Sequence, residues 1–307
     1  MLPSAGTSVH MAKVVIVGSG IAGLFAALKL EAAGHEVNVI TKQRPQDSST
    51  NWAQGGIAGI LDKTDGEAMQ SHINDTLLSG DGICDEVIVR CVVEEAGDRI
   101  RDLLAVGVDF EKEGEGFHLV KEGGHSERRI LHAKDATGAE IERALNMAVA
   151  QSRNITMSSH TLGVDLIQRV HGVPKKGVKG IWCLCLDSGE MKAIPADAIL
   201  IATGGCGHLW ERTTNPSVST GDGLAMAVRA GASNKNMAFF QFHPTALMSR
   251  NKTPFLITEA LRGEGGVLLD DDGLINYRKG DDTPDKHSFT LEFSDLGSLA
   301  TRDIVCL

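Results

Sequence analysis

Three spaced glycines, Gly18-Ser-Gly20-Ile-Ala-Gly23, constrain this chain more than any other feature. They follow a short apolar stretch at 13–17 and precede Ile21, Leu24, Phe25 and Leu28, which recur at helical spacing until Gly34. Residues 36–41 read as a second strand. Strand, glycine turn, helix and strand make a βαβ opening. In that setting the first glycine permits a tight turn and the second lets backbone approach a pyrophosphate. The third lets the helix pack close to the strand, and the helix N-terminus attracts phosphate charge. Ser19, Ile21 and Ala22 fall between the glycines and share the expected contact surface. The predicted class is α/β, opening with a Rossmann-like dinucleotide-binding domain.

The alternation continues along the chain. Helical patterns at 67–78 and 86–106 are closed by Gly80 and Gly107. Thr137-Gly-Ala-Glu140 reads as a capping box for a helix carried by Ile141, Leu145 and Ala148. Strands are expected at 155–159, 164–168, 178–186 and 198–202, and a helix at 224–230. No internal repeat is present. Segments 250–254 and 270–288 are polar and loop-rich, and a change of character near 243 marks the expected domain boundary. The expected division is an N-terminal extension over 1–11, the nucleotide-binding domain over 12–242 and an incomplete second domain over 243–307.

Composition excludes several function classes. A formal net charge of -10 argues against nucleic acid, which needs clustered Lys and Arg. No apolar run approaches the roughly 20 residues of a membrane span, and the first eleven residues lack the apolar core of a secretory signal. The 35 glycines, without a collagen period, suggest many tight turns and close backbone approaches to a ligand. None of Cys84, Cys91, Cys183, Cys185, Cys206 and Cys306 forms a CxxC pair, so reduced cytosolic thiols are expected and no metal.

Further candidates lie beyond the first turn. The acidic residue usual at the end of the second strand is missing; Thr41 and Lys42 stand there, and Lys42 would suit a 2′-phosphate. Ser49-Thr50-Asn51-Trp52-Ala53-Gln54-Gly55-Gly56 pairs two glycines with small polar neighbours, and can lay backbone N–H groups against a flavin ring or serve as an ordinary loop. Ala202-Thr203-Gly204 follows a buried strand, a common place for backbone to close on a cofactor. Asp222 stands where it either caps a helix or binds a polyol hydroxyl.

Together with Glu122-Gly-Gly-His-Ser-Glu-Arg-Arg-Ile-Leu-His132, Asp135-Ala-Thr-Gly138, Thr214-Asn-Pro216, Ser219-Thr-Gly-Asp-Gly223, Gln241-Phe-His-Pro-Thr245, Thr258-Glu-Ala-Leu-Arg-Gly-Glu-Gly265 and Thr301-Arg-Asp-Ile-Val305, these stretches carry a resemblance. The chain resembles the fumarate reductase and succinate dehydrogenase flavoprotein superfamily, and within it the L-aspartate oxidases, from about residue 13 to the end. The resemblance implies a Rossmann-like FAD-binding domain with the start of an α+β capping domain. It also places Val164 among the cofactor contacts. A histidine that carries covalent FAD in many succinate and fumarate enzymes is replaced here by Ser49, so FAD is expected to be non-covalent.

The implied reaction oxidises L-aspartate, or a related C4 dicarboxylate, to iminoaspartate, the first step of de novo NAD biosynthesis. Oxygen or fumarate is the implied acceptor, and coupling to quinolinate synthase is the implied partnership. Arg302 matches the family's catalytic arginine, and a guanidinium suits positioning and charge stabilisation better than proton transfer. His243 and Thr258 are expected to hydrogen-bond a substrate carboxylate, with Glu259 and Glu264 either orienting these groups or lying on a surface. A carboxylate repels a dicarboxylate but attracts an ammonium, which makes Glu122 the expected selector of aspartate over succinate. His125, Arg128, Arg129 and His132 are dense in one run, near the site, with no individual role. A succinate- or fumarate-type subunit is the alternative activity. Family members continue past this length, so the expectation includes a truncated fragment that does not itself catalyse.

Overall fold

The computed structural model describes residues 11–248, 254–280 and 283–305. The expected N-terminal extension except Met11, most of the loop expected at 250–254, and Cys306 lie outside them. The chain forms two compact units, residues 11–52 with Ala139–Asn236 and Ala53–Gly138 with 237–305.

The first unit is built on a four-stranded parallel sheet in the order Ala198–Ile201, Lys13–Val17, Glu36–Ile40, Ile155–Ser158. Parallel strands covered on both faces read as continuous apolar runs. Val14, Val15, Ile16 and Val17 are accordingly all buried. The helix Ile21–Ala32 buries Gly23, Leu24 and Ala27. It ends where Gly34, at φ +87, donates to Glu31 O and His35 donates to Leu30 O, the paired closure of a Schellman end.

An antiparallel sheet of Met191–Pro195, Val178–Cys185 and Thr161–Gln168 supplies the other side of this core. Val15, Val17 and Ile40 cluster with Ile181, Cys183 and Met226. Met191–Pro195 was not among the expected strands; its burial pattern is almost wholly exposed, so it carries no apolar alternation to read.

The second unit pairs the helices Gly66–Ser79 and Glu86–Ala105 with short strands. Asp65 caps the first helix by accepting from Ala68 N, and Asp85 caps the second by accepting from Val87 and Ile88 N. A three-stranded antiparallel sheet joins Ile57–Ala58, Ile130–Leu131 and Leu119–Val120. A hairpin joins Ala246–Leu247 to Phe255–Leu256, and short helices follow at Ala260–Gly263 and Asp271–Arg278. Ile100, Leu103, Phe110, Ile130 and Leu131 are among its buried apolar residues.

The expected boundary at 243 and these units divide the chain differently. Residues Ala53–Gly138 leave the first unit and group with the segment from 237 onward. Such an excursion produces no composition change where it starts, which is why local sequence places a single break.

The glycine turn explains the helix entry. Gly18 has φ +115, and a Cβ there would stand 2.3 Å from Ala202 O. A Cβ on Gly23 would stand 2.0 Å from Gly18 O. By contrast Gly34 has positive φ but open space around it. Gly18→Ala should therefore cost more than Gly34→Ala, which carries only the left-handed strain of about 1 kcal/mol. Urea unfolding of the two variants measures the difference; equal losses would contradict the close-packed turn.

Candidate active site

In the first unit, an open cleft of about 860 Å³, its solvent mouth included, forms around the glycine turn. Of the expected cofactor contacts, Gly18, Ser19, Gly20, Ile21 and Ala22 line its floor, and Lys42, Ser49 and Thr50 line one wall. Ala202, Thr203, Gly204 and Asp222 complete it. Gly23 lies behind the turn as packing, buried in the helix. Gly163 lines the cleft, and Val164, one residue beyond, does not.

The helix entering this cleft has no side-chain cap at Gly20. Thr50 Oγ1 accepts from Ile21 N at 3.0 Å, drawing the serine-rich loop onto the helix start. Ser19 is buried and donates to Pro45 O at 2.9 Å and Thr41 Oγ1 at 3.0 Å, tying the turn to the end of the second strand. Lys42 Nζ contacts Asp222 at 2.9 Å and Thr220 at 2.7 Å. Its charge is thus already paired, which removes the free cation a 2′-phosphate would need. Asp222 opens the helix Asp222–Arg229, with Gly221 rather than Asp222 in the cap position and no side-chain cap bond. Its carboxylate faces the cleft, so the polyol alternative fits and the capping alternative does not.

Beneath the loop lies a residue the motifs did not mark. Glu142 is 1% exposed, and its carboxylate accepts from Ser48 at 3.3 Å and Asn146 at 3.2 Å. Ser48 in turn accepts from Asn51 N. Burial pushes the Glu142 carboxyl up to about 7 despite these two bonds. A charged residue on the face shared by Leu145 and Val149 was the available signal.

The second unit holds the expected substrate groups. Glu259, 8% exposed, ties Arg262 on one oxygen and Arg302 on the other, with Arg302 Nε at 2.9 Å. Arg262 is buried and also donates to Ser298 O and Ala300 O. Both Glu259 oxygens are engaged by guanidinium groups, which makes it the residue that positions Arg302 rather than a direct partner for an anionic substrate. Arg262 was not an expected site residue, although its i,i+3 spacing from Glu259 was visible. Glu264 instead lies exposed, 3.7 Å from Arg128.

His243 Nδ1 lies 3.1 Å from Thr245 O and 3.2 Å from Thr245 N, so the Thr245 backbone holds this edge of the ring. Burial and the charge of Arg302 hold its pKa below the ordinary histidine value. Thr258 Oγ1 accepts from Ala260 N at 3.4 Å. Glu122 is half-buried, and burial followed by the Glu259 charge raises its pKa; Gly56 N–H and the arginines oppose that rise. A Cβ on Gly55 would stand 3.0 Å from Glu122 Oε1, so the paired glycines let this carboxylate lie against backbone. Glu122, His243, Glu259 and Arg302 are therefore electrostatically coupled. In the same stretch Gln54 Oε1 is buried without a partner, Ala53 accepts from Gly138 N, and Trp52, in the first unit, is 49% exposed.

The dense run divides, with His125 Nδ1 and Arg129 Nη1 kept together at 3.2 Å. Arg129 is buried on Asp75 at 2.6 Å and Ser71 at 3.0 Å, and His125 lies 5.6 Å from the ring of His72. His132 contacts His118 instead. The Thr137 hydroxyl accepts from Ala133 N, and Glu140 pairs with Arg143.

A family model for the FAD binding domain matches residues 13–305. The chain belongs to the FAD-binding domain family. It is similar to an L-aspartate oxidase of Streptomyces coelicolor, 43% identical over 99% of this chain and 50% of that protein. It is also similar to an L-aspartate oxidase of Yersinia pestis, 40% identical over 97% of this chain and 54% of that protein. Among solved structures it resembles the FrdA chain of an E. coli quinol fumarate reductase variant, with a TM-score of 0.82 at 27% identity, covering 96% of this chain and 49% of that one. The chain spans about half the length of the curated relatives it matches. Among the described residues no helix is long and apolar enough to cross a membrane.

FAD, the cofactor of this family, fits the residues present. The Gly18 turn leaves no room for a side chain, the uncapped helix start suits a pyrophosphate, and Asp222 suits a hydroxyl.

Glu142 generates a pH prediction. Its folded pKa lies above the unfolded value of 4.5, so its contribution is present below 4.5 and lost as pH rises through about 7. His72, lowered to about 4 chiefly by burial, pulls in the opposite direction. The readout is therefore the difference between variant and wild type. Glu142→Gln should gain up to about 3 kcal/mol relative to wild type between pH 4.5 and 8 in urea unfolding. A pH-independent difference would contradict a buried, titrating Glu142.

Proposed function

We propose that this chain carries the FAD-dependent oxidation of L-aspartate to iminoaspartate, with non-covalent FAD and with oxygen or fumarate as the acceptor. FAD, when bound, supplies the two-electron acceptor for the hydride leaving the substrate α-carbon. The proposed place of the reaction is the first step of NAD biosynthesis, with quinolinate synthase consuming the product. Ser49 occupies the covalent histidine's place in the resemblance, and a serine cannot form that bond.

The observation that carries the reading is the charge pattern around Arg302. L-Aspartate at neutral pH has two carboxylates and one ammonium. Arg302, oriented by Glu259, offers a planar fork for one carboxylate. His243 offers the ring nitrogen that Thr245 does not hold, and the Thr258 hydroxyl a further donor. Glu122 supplies the carboxylate that an ammonium requires and a second carboxylic acid does not. The Arg302 guanidinium holds charge through the reaction rather than surrendering a proton.

Glu122→Gln tests the assignment. A charge-assisted bond is worth about 1.5–3 kcal/mol, so kcat/KM for L-aspartate should fall by roughly 10- to 100-fold. Turnover of succinate should fall less or rise. An unchanged ratio between the two substrates would remove Glu122 from substrate selection.

A further inference from the structure

Outside the site just described, the second unit brings Glu111, His118 and His132 together. The antiparallel pairing sets Leu119 opposite Leu131 and Val120 opposite Ile130. His118 precedes the first strand and His132 follows the other, so both stand at the next position of the same register. Glu111 N donates to His132 O at 2.8 Å, and His118 N donates to Glu111 O at 3.0 Å. The three backbones are thus locked to one another before any ligand arrives. Buried Phe110 and Leu131 anchor the flanks, with Phe110 edge-on to Phe117 at 6.4 Å.

The side chains converge as well. One candidate ligand atom from each residue lies within 4.8 Å of the others. His118 Nδ1 and His132 Nε2 are 2.8 Å apart; Glu111 Oε2 is 3.9 Å from His118 Nδ1 and 3.6 Å from His132 Nδ1, the other nitrogen of that ring. We propose that Glu111, His118 and His132 form a binding site for a divalent transition-metal ion.

Both rings direct a nitrogen to one place, 2.8 Å apart, and an ion takes an imidazole nitrogen at about 2.1 Å. As the ion enters, the proton of the ring–ring hydrogen bond passes to the donor ring's other nitrogen by exchange with water, and two metal–nitrogen bonds take its place. Two imidazoles with one carboxylate favour ions such as cobalt, nickel, iron or zinc over calcium and magnesium, which prefer oxygen. His118 and Glu111 are 41% and 37% exposed, so water can reach the remaining positions. None of the cysteines takes part, which is why a search for cysteine pairs pointed to no metal.

The test uses the full FAD-loaded chain, stripped with chelator and titrated with Co²⁺, followed by calorimetry and visible absorption. One equivalent should bind, with d–d bands of nitrogen and oxygen ligation. His118→Ala and His132→Ala should each weaken binding by at least about 10- to 100-fold, the loss seen when mere outer partners of ligands are removed. Glu111→Gln, close to isosteric, covers the case in which a histidine variant fails to fold and should weaken binding too. No saturable binding, undiminished affinity in the folded variants, or thiolate charge-transfer absorption from the cysteines would each overturn the site.

Discussion

The close approach of Gly18 to Ala202 is the constraint on which the first unit depends. The strand ends Val17 and Ile201 are register partners, and the chain leaves both at once. Backbone from one must turn under backbone from the other with no space for a side chain between them. That turn aims the helix Ile21–Ala32, brings Gly23 onto Gly18, and leaves the helix start open to the cleft. The binding surface is a consequence of packing: the contacts that exclude a Cβ are the ones that let backbone reach a phosphate.

The second unit is organised by charge. Glu259 is one carboxylate serving two guanidinium groups, in a place where water is largely excluded. A buried ion pair of this kind holds geometry at some cost in solvation, and removing one member leaves its partner stranded. Arg262 Nη1 donates to the backbone carbonyls of Ser298 and Ala300, which fixes the segment leading to Arg302. Arg302 is left more exposed than either, available on one side and restrained on the other. Glu122 stands in the same field with its pKa raised, a carboxylate kept where an ammonium is the natural counter-ion.

Features encoded over a few residues were legible in the sequence. The glycine turn, the first helix and its Gly34 end, and the strand before Ala202 follow from spacing alone, because turns and helix ends are local events. The cofactor and the aspartate reading needed more: they came from motifs scattered over the chain, whose meaning lies in a resemblance. What was not legible depends on pairings at a distance. Arg302 and Glu259 are 43 positions apart, and Ser48 and Glu142 are 94 apart. The run from His125 to His132 looked like one cluster, yet strand geometry turns Arg129 toward Asp75 and His132 toward His118. The departure at Ala53 and the return at Ala139 are likewise silent, since both occur within ordinary loop and helix sequence.

The direct test of the account is an absorbance spectrum of the chain after reconstitution with FAD and desalting, then anaerobic addition of L-aspartate and, separately, succinate. The account predicts that flavin absorbance is retained and is bleached by L-aspartate but not by succinate. A chain that loses its flavin on desalting, or whose retained flavin responds to succinate as it does to L-aspartate, would contradict it.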